Sequence, residues 1–428
     1  MRKMKDSGIK WIGKIPETWE VTINKTILKN ISERNHPDAE VLSLYRDLGV
    51  VPKNSRDDNH NVTSENTIQY KFVEKGSLVI NKMKAWQGSL AVSNYEGIVS
   101  PAYYVCKFRD NQISKDYVHY LLRSSIYAQQ FERLSTGMRI GQWDLSIDDF
   151  LATPLLVPPE KEQAAIAKCL DKKSMQIDAL IANVQEQIEK LKAYKQSLIT
   201  EVVTKGLDPN VPMKDSGVEW IGEIANTRSV YRLKYLLSTP LQYGANESGG
   251  KYTNDSVRYI RITDICADGS LKNDENNQYL SEKVASDYVL NDGDVLLARS
   301  GGTVGKSFLY HAEYGASAFA GYLIKADCNR DKLLPEFLVY YTQSSLYDIW
   351  KNMIFVQATI QNIGANKYSN LEIPIPPVDE QRTLVKELKV RCSKIDSLIH
   401  IKQQKIEKLE QYKRSLIYEY VTGKKEVS

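Results

Sequence analysis

The sequence predicts an α+β chain: two mixed α/β domains separated by two long antiparallel coiled-coil helices, arranged as a pseudo-two-fold internal repeat. Three observations carry this expectation. Blocks of sequence recur at a nearly constant shift, each copy ends in a long heptad segment, and the stretches between mix short β-branched runs with aromatic-rich helical ones.

The repeat is the strongest signal. KDSGIKWIG begins at Lys5 and KDSGVEWIG at Lys214, 209 residues later. PPEKEQ (158–163) answers PPVDEQ (376–381) at a shift of 218, and at that shift IEKLKAYKQSLITE (188–201) answers IEKLEQYKRSLIYE (406–419). Fainter matches lie between. The run from Lys75 to Ile80 parallels the run from Asp292 to Leu297 at a shift of 217, and SSIY (124–127) recurs as SSLY (344–347). The expected divisions are a first domain over 1–157, a helix over 158–206, a second domain over 207–375 and a second helix over 376–428.

The helical segments follow from heptad spacing. From Glu160 to about Val203 there is no Pro or Gly. Ile181 and Ile188 fall on a positions, and Ile177, Val184, Leu191 and Leu198 on d positions. Pro158-Pro159 suits a helix start and Gly206 a helix end. The second copy places Ile395, Ile399, Ile406, Leu409 and Leu416 on its seam and ends near Gly423. Lys195 and Lys413 interrupt both seams at one a position, and Lys402 replaces Val184. A polar residue at a commonly sets register at some cost in stability. Each helix, at ~1.5 Å per residue, would reach on the order of 60 Å.

In the domains, strands are expected at 77–81, 98–107, 259–262, 294–299 and 318–326, and helices at 115–134 and 335–353. Composition excludes several classes. The chain has 428 residues, 42% hydrophobic and 26% charged, as in soluble globular proteins. No run approaches the ~18 apolar residues of a membrane span. The start of the sequence lacks the apolar core of a secretory signal, so a cytoplasmic location is expected. The five cysteines lie far apart, which argues against a zinc site or a disulfide framework. Net charge is +4 and the excess positive charge sits on the C-terminal segment, so a nucleic-acid footprint would have to come from local clusters.

Candidate DNA-contacting loops supply such clusters. In the first domain they carry Arg46, Lys53, Arg56, Lys82, Lys84, Trp86, Gln87, Arg139, Gln142 and Trp143. In the second they carry Gln242, Tyr243, Asn246, Arg299, Thr303, Lys306, Gln357, Thr359, Gln361 and Asn362. Arg and Lys suit guanine, Asn and Gln suit adenine, and small polar residues suit phosphate. A solvated loop side chain is the competing reading for each.

Catalytic signals fail. RSGGTVGKS (299–307) nearly matches a nucleotide-binding loop, but Ser300 stands where the first Gly belongs and a strand, not a helix, is expected to follow. The Pro pairs lack the flanking residues of an amino-methyltransferase motif, and no glycine-rich cofactor loop is present. No catalytic residue, metal ligand or cofactor site is expected in this chain.

The KDSG…WIG openings, the GDVLLARSGGTVGK run and the Pro-Pro-x-x-Glu-Gln lead into each long helix resemble the specificity subunits of Type I restriction–modification enzymes. The first copy departs from the pattern at Lys84-Ala85-Trp86-Gln87-Gly88 and at Thr153-Pro154-Leu155-Leu156-Val157. The resemblance implies two target-recognition domains, each reading one half of a split double-stranded DNA target. It implies helices that set the unread spacer and dock two methyltransferase subunits, joined by restriction subunits. S-adenosylmethionine, ATP and Mg would belong to those partners. The alternatives are a coiled-coil scaffold that binds only proteins, or an unrecognised nuclease.

Overall fold

Each copy opens on the same hairpin, and its repeated residues are those that the turn requires. Met4–Asp6 pairs with Lys14–Pro16, and Met213–Asp215 pairs with Glu223–Ala225, both antiparallel. Asp6 accepts from the Gly8 amide and Asp215 from the Gly217 amide, each at 2.9 Å. Both of these glycines have positive φ, which a side chain would disfavour. The computed structural model describes residues 2–55, 67–109, 113–137, 143–266, 269–356 and 361–427. It divides into two compact units, residues 1–185 with 403–428, and residues 186–402.

In the first unit a four-stranded sheet runs in the order Leu28–Ile31, Tyr103–Phe108, Leu78–Asn81, Leu90–Val92. Glu20–Ile23 pairs separately with Pro154–Val157. In the second unit the matching sheet runs Gln242–Tyr243, Leu323–Ala326, Val295–Ala298, Ser307–Leu309, and Ser229–Arg232 pairs with Glu372–Ile375. The second unit adds a three-stranded sheet in which Ser256–Ile260 pairs parallel with Ser317–Phe319.

Some expected elements are broken. The strand expected over 98–107 is two, Gly97–Val99 and Tyr103–Phe108, and that over 318–326 is Ser317–Phe319 and Leu323–Ala326. The strand expected at 259–262 spans Ser256–Ile260 and gives way to a 3-10 turn. Helix 115–134 divides at Ser124, which is buried and returns its hydroxyl to the Leu121 carbonyl at 2.6 Å. Helix 335–353 divides after Tyr341, where Thr342 and Ser344 bond back to the preceding turn.

The long helices are Glu160–Lys205 and Val378–Val421. Within the first unit, Ile166, Leu170 and Ile177 of one helix share a core with Leu416, Tyr420 and Val421 of the other, together with Trp19, Tyr117 and Phe131. Within the second unit, Leu198, Val202 and Val203 share a core with Leu384, Leu388 and Ile395, together with Phe337, Tyr341 and Trp350. Each unit is thus closed by the first half of one helix and the second half of the other.

Inside each unit these halves run antiparallel. In the second unit, Lys195 bonds Asp396 and Lys402 bonds Gln187, so one index falls as the other rises. Of the seam residues, Ile177, Val184, Ile188, Leu198, Ile395 and Leu416 are buried, while Ile181, Leu191, Ile399, Ile406 and Leu409 are half-buried.

The Glu-Gln pair in the first turn of each long helix fastens the domain to it. Gln163, buried, accepts from the Ser114 amide at 2.7 Å and donates to the Pro158 carbonyl at 2.9 Å. Gln381, its counterpart, accepts from the Leu334 amide at 2.8 Å and donates to the carbonyls of Pro376 and Lys332. Ser114 and Leu334 are the N-cap residues of the domain helices, so one amide side chain ends a helix and ties it down.

Glu162 and Glu380 meet different donors at one repeat position. Trp19 donates to Glu162 at 3.0 Å, and Arg2 adds a bidentate pair. Arg228, which stands where the first copy has Trp19, lies 3.3 Å from Glu380 and donates to the carbonyls of Thr204 and Val202. A cation on the last carbonyls of a helix satisfies orphan acceptors and complements its dipole.

Candidate nucleic-acid interface

Part of the candidate set gathers where an inner strand of each four-stranded sheet ends. Strand Leu78–Asn81 delivers Lys82, and strand Val295–Ala298 delivers Arg299. The two stations share backbone wiring. Leu145 donates to the Lys82 carbonyl at 3.0 Å, and Ile363 donates to the Arg299 carbonyl at 2.8 Å. The bridges beside them differ: Asp144 pairs with Thr136, whereas its counterpart Asn362 pairs with Ser300.

At the first station the Lys82 ammonium donates to Asp144 at 2.6 Å. That hydrogen bond raises the lysine pKa, against a smaller opposing effect of burial. Trp86 and Trp143 meet edge to face at 5.5 Å, and the Trp86 indole donates to the Met83 carbonyl. Lys84 and Gln87 are exposed on the same turn. The group presents an aromatic pair beside a neutralised lysine.

At the second station the Arg299 guanidinium lies 5.0 Å over the Tyr243 ring. The Tyr243 hydroxyl accepts from the Ala365 amide at 2.9 Å. Asn362 and Gln361 are exposed, Thr303 is half-buried, and Lys306 is exposed at the end of the turn. Tyr322, whose carbonyl accepts from the Arg299 amide, stands 62% exposed beside them.

Other candidates lie apart from these groups. Gln242 spends its amide on the Asp287 carbonyl at 2.7 Å, and Asn246 is exposed. Arg46 is exposed and its carbonyl accepts from Arg123, while Lys53 sits in a short 3-10 turn. Arg56, Arg139, Gln142, Gln357 and Thr359 lie outside the described residues. Sequence reasoning missed Asp144 and Tyr322. The repeat could have found Asp144, because it aligns with the candidate Asn362 at the shift of 218.

The glycine-rich turn after Arg299 is followed by strand Ser307–Leu309, not by the helix that a nucleotide-binding loop requires. Among the described residues no three His, Cys, Asp or Glu side chains group as metal ligands. Among those residues no helix is long and apolar enough to cross a membrane.

Comparison with known proteins agrees with this architecture. The chain is 25% identical to the Type I restriction enzyme MjaVIII specificity subunit of Methanocaldococcus jannaschii, over 96% of this chain and 94% of that one. It is 22% identical to the EcoKI specificity subunit of Escherichia coli K12, over 90% of this chain and 84% of the relative. A solved chain from a study of complex assembly and conformational transition of the type I R-M system superposes with a TM-score of 0.68 at 15% identity. That superposition covers 96% of this chain and 99% of the solved one. The family model for the Type I restriction modification DNA specificity domain matches twice, at residues 16–190 and 238–411. The chain belongs to that family, as a specificity subunit whose part in a Type I system is DNA recognition and not catalysis.

Proposed function

We propose that the chain reads a bipartite double-stranded DNA target, one half-site per α/β domain, and docks two methyltransferase subunits through its long helices. One observation carries this reading: a duplicated framework that holds different chemistry at equivalent stations. The hairpins, the Gln163 and Gln381 anchors and the wiring around residues 82 and 299 recur. The side chains at those stations do not. A scaffold written twice with divergent tips suits two readers with two half-targets.

The functional division proposed is 1–157 and 207–375 for reading, and 158–206 and 376–428 for spacing and docking. The candidate loop residues named above are the proposed DNA contacts. Docking finds support in exposed apolar pairs at equivalent heptad positions. The first unit exposes Leu180 and Tyr412, and the second exposes Leu398 and Tyr194. Each pair lies on the g flanks next to a seam lysine, so two copies of one partner would meet like surfaces. S-adenosylmethionine would be held by the methyltransferase subunits. ATP and Mg would belong to the restriction subunits, and the complex would work in the cytoplasm.

The test is genome-wide mapping of methylated bases in cells that express the methyltransferase subunit with and without this chain. A split motif that depends on the chain is expected. An active, chain-bound methyltransferase that yields no new motif would favour the protein-only scaffold.

A further inference from the structure

We propose that Arg299 recognises a guanine in the half-target of the second domain, with Tyr243 holding its guanidinium in place. The inference rests on the DNA-reading function proposed above and adds a residue and a base to it.

The two stations differ where a reader should differ. In the first, the cation is neutralised by Asp144 at 2.6 Å. In the second, the Asp144 counterpart is the uncharged Asn362, and Arg299 makes no ion pair among the described residues. A contact to DNA phosphate is needed by both domains alike, and a lysine held by a carboxylate does not serve it. A divergent pair at a conserved station is the mark of a base contact.

The guanidinium is also held. Its Cζ lies 5.0 Å over the Tyr243 ring, whose hydroxyl is fixed by the Ala365 amide and whose neighbour Gly244 packs against strand backbone. A Cβ at Gly244 would come within 2.3 Å of the Phe319 carbonyl oxygen, so the tyrosine cannot easily shift. Among the described residues the guanidinium makes one hydrogen bond, a long one of 3.5 Å to the Gly321 carbonyl, and its Nε has no partner. A half-buried arginine held over a ring, with no ion-pair partner among the described residues, suits the O6 and N7 acceptors of guanine in the major groove.

The test is methylated-base mapping in cells that carry the full chain with its methyltransferase subunit. The variants are Arg299→Lys, Arg299→Gln and Asn362→Asp, the last recreating the acidic partner of the first station. Co-purification with the methyltransferase subunit shows which variants fold. The expected result keeps the first half-site and the spacer and relaxes one guanine in the second half. Preference for that guanine should fall by about tenfold or more.

Three outcomes would overturn the proposal. The motif could be unchanged in the Arg299 variants, or methylation could fall equally at every site with no base relaxed, which marks a phosphate contact. Should neither Arg299 variant fold, an Asn362→Asp chain with an unaltered motif would be the third. A wild-type chain that directs no split motif would instead remove the DNA-reading function itself.

Discussion

Lys413 donates to both carboxylate oxygens of Asp178, each at 2.7 Å, and its repeat counterpart Lys195 does the same to Asp396 at 2.7 and 2.8 Å. The lysine of each copy is answered by the aspartate of the other. The ammonium that interrupts each apolar seam therefore has a partner on the facing helix, one turn position specific to this register. A slip of one heptad would leave four charges unpaired along the seams.

Asp178→Asn and Asp396→Asn should each lower stability by about 0.5–1 kcal/mol, because both pairs are partly exposed. The exchange Asp178→Lys with Lys413→Asp should recover most of that loss. Urea unfolding midpoints of the four chains check this. A neutral result for the single variants would mean that apolar contacts alone set the register.

Gln163→Ala and Gln381→Ala should each cost roughly 1–3 kcal/mol, since each strands a half-buried N-cap amide and a buried carbonyl. Gln381→Ala should cost more, because Gln381 also holds the Lys332 carbonyl at 2.8 Å. Hydrogen exchange should show the matching domain helix, and not the other, losing protection at its start.

The exposed pairs should separate docking from folding. Tyr412→Asp with Leu180→Asp, or Tyr194→Asp with Leu398→Asp, should leave the unfolding midpoint nearly unchanged. Each double variant should lose one methyltransferase subunit from the purified complex, and the quadruple variant both. Native mass spectrometry reads the count.

His119 gives the first unit a pH dependence. It is half-buried, accepts from the Val92 amide at 3.3 Å, and desolvation with the nearby Arg123 lowers its pKa to about 3. The unfolded chain binds a proton there near pH 6.5 and the folded chain does not. Stability from this group is therefore constant above pH 6.5 and falls as pH drops toward 3. The loss should reach about 2 kcal/mol at pH 5. A His119→Gln chain should lack that slope in thermal unfolding between pH 7 and 5.

Much of this was legible in the sequence where the signal is local. Helix ends at Lys205 and Val421 follow from Gly206 and Gly423, whereas the hairpins behind the repeated KDSG…WIG blocks were not read from the sequence. Heptad spacing pointed to the faces that lie inward along the long helices. What stayed hidden depends on partners far along the chain. Lys195 read as a cost because Asp396 lies 201 residues away, and Lys82 read as a free cation because Asp144 lies 62 residues away. Ser124 breaks a helix that no Pro or Gly interrupts, its buried hydroxyl closing on the Leu121 carbonyl. Trp19 and Arg228 look unrelated, yet both serve the glutamate that opens a long helix.

The most direct test of two independent readers on one framework is to replace residues 207–375 with the matching domain of another specificity subunit and map methylated bases. The reading predicts a motif whose first half-site and spacer length are kept while the second half-site changes to that of the donor. A motif altered in both halves, or left unaltered, would contradict it.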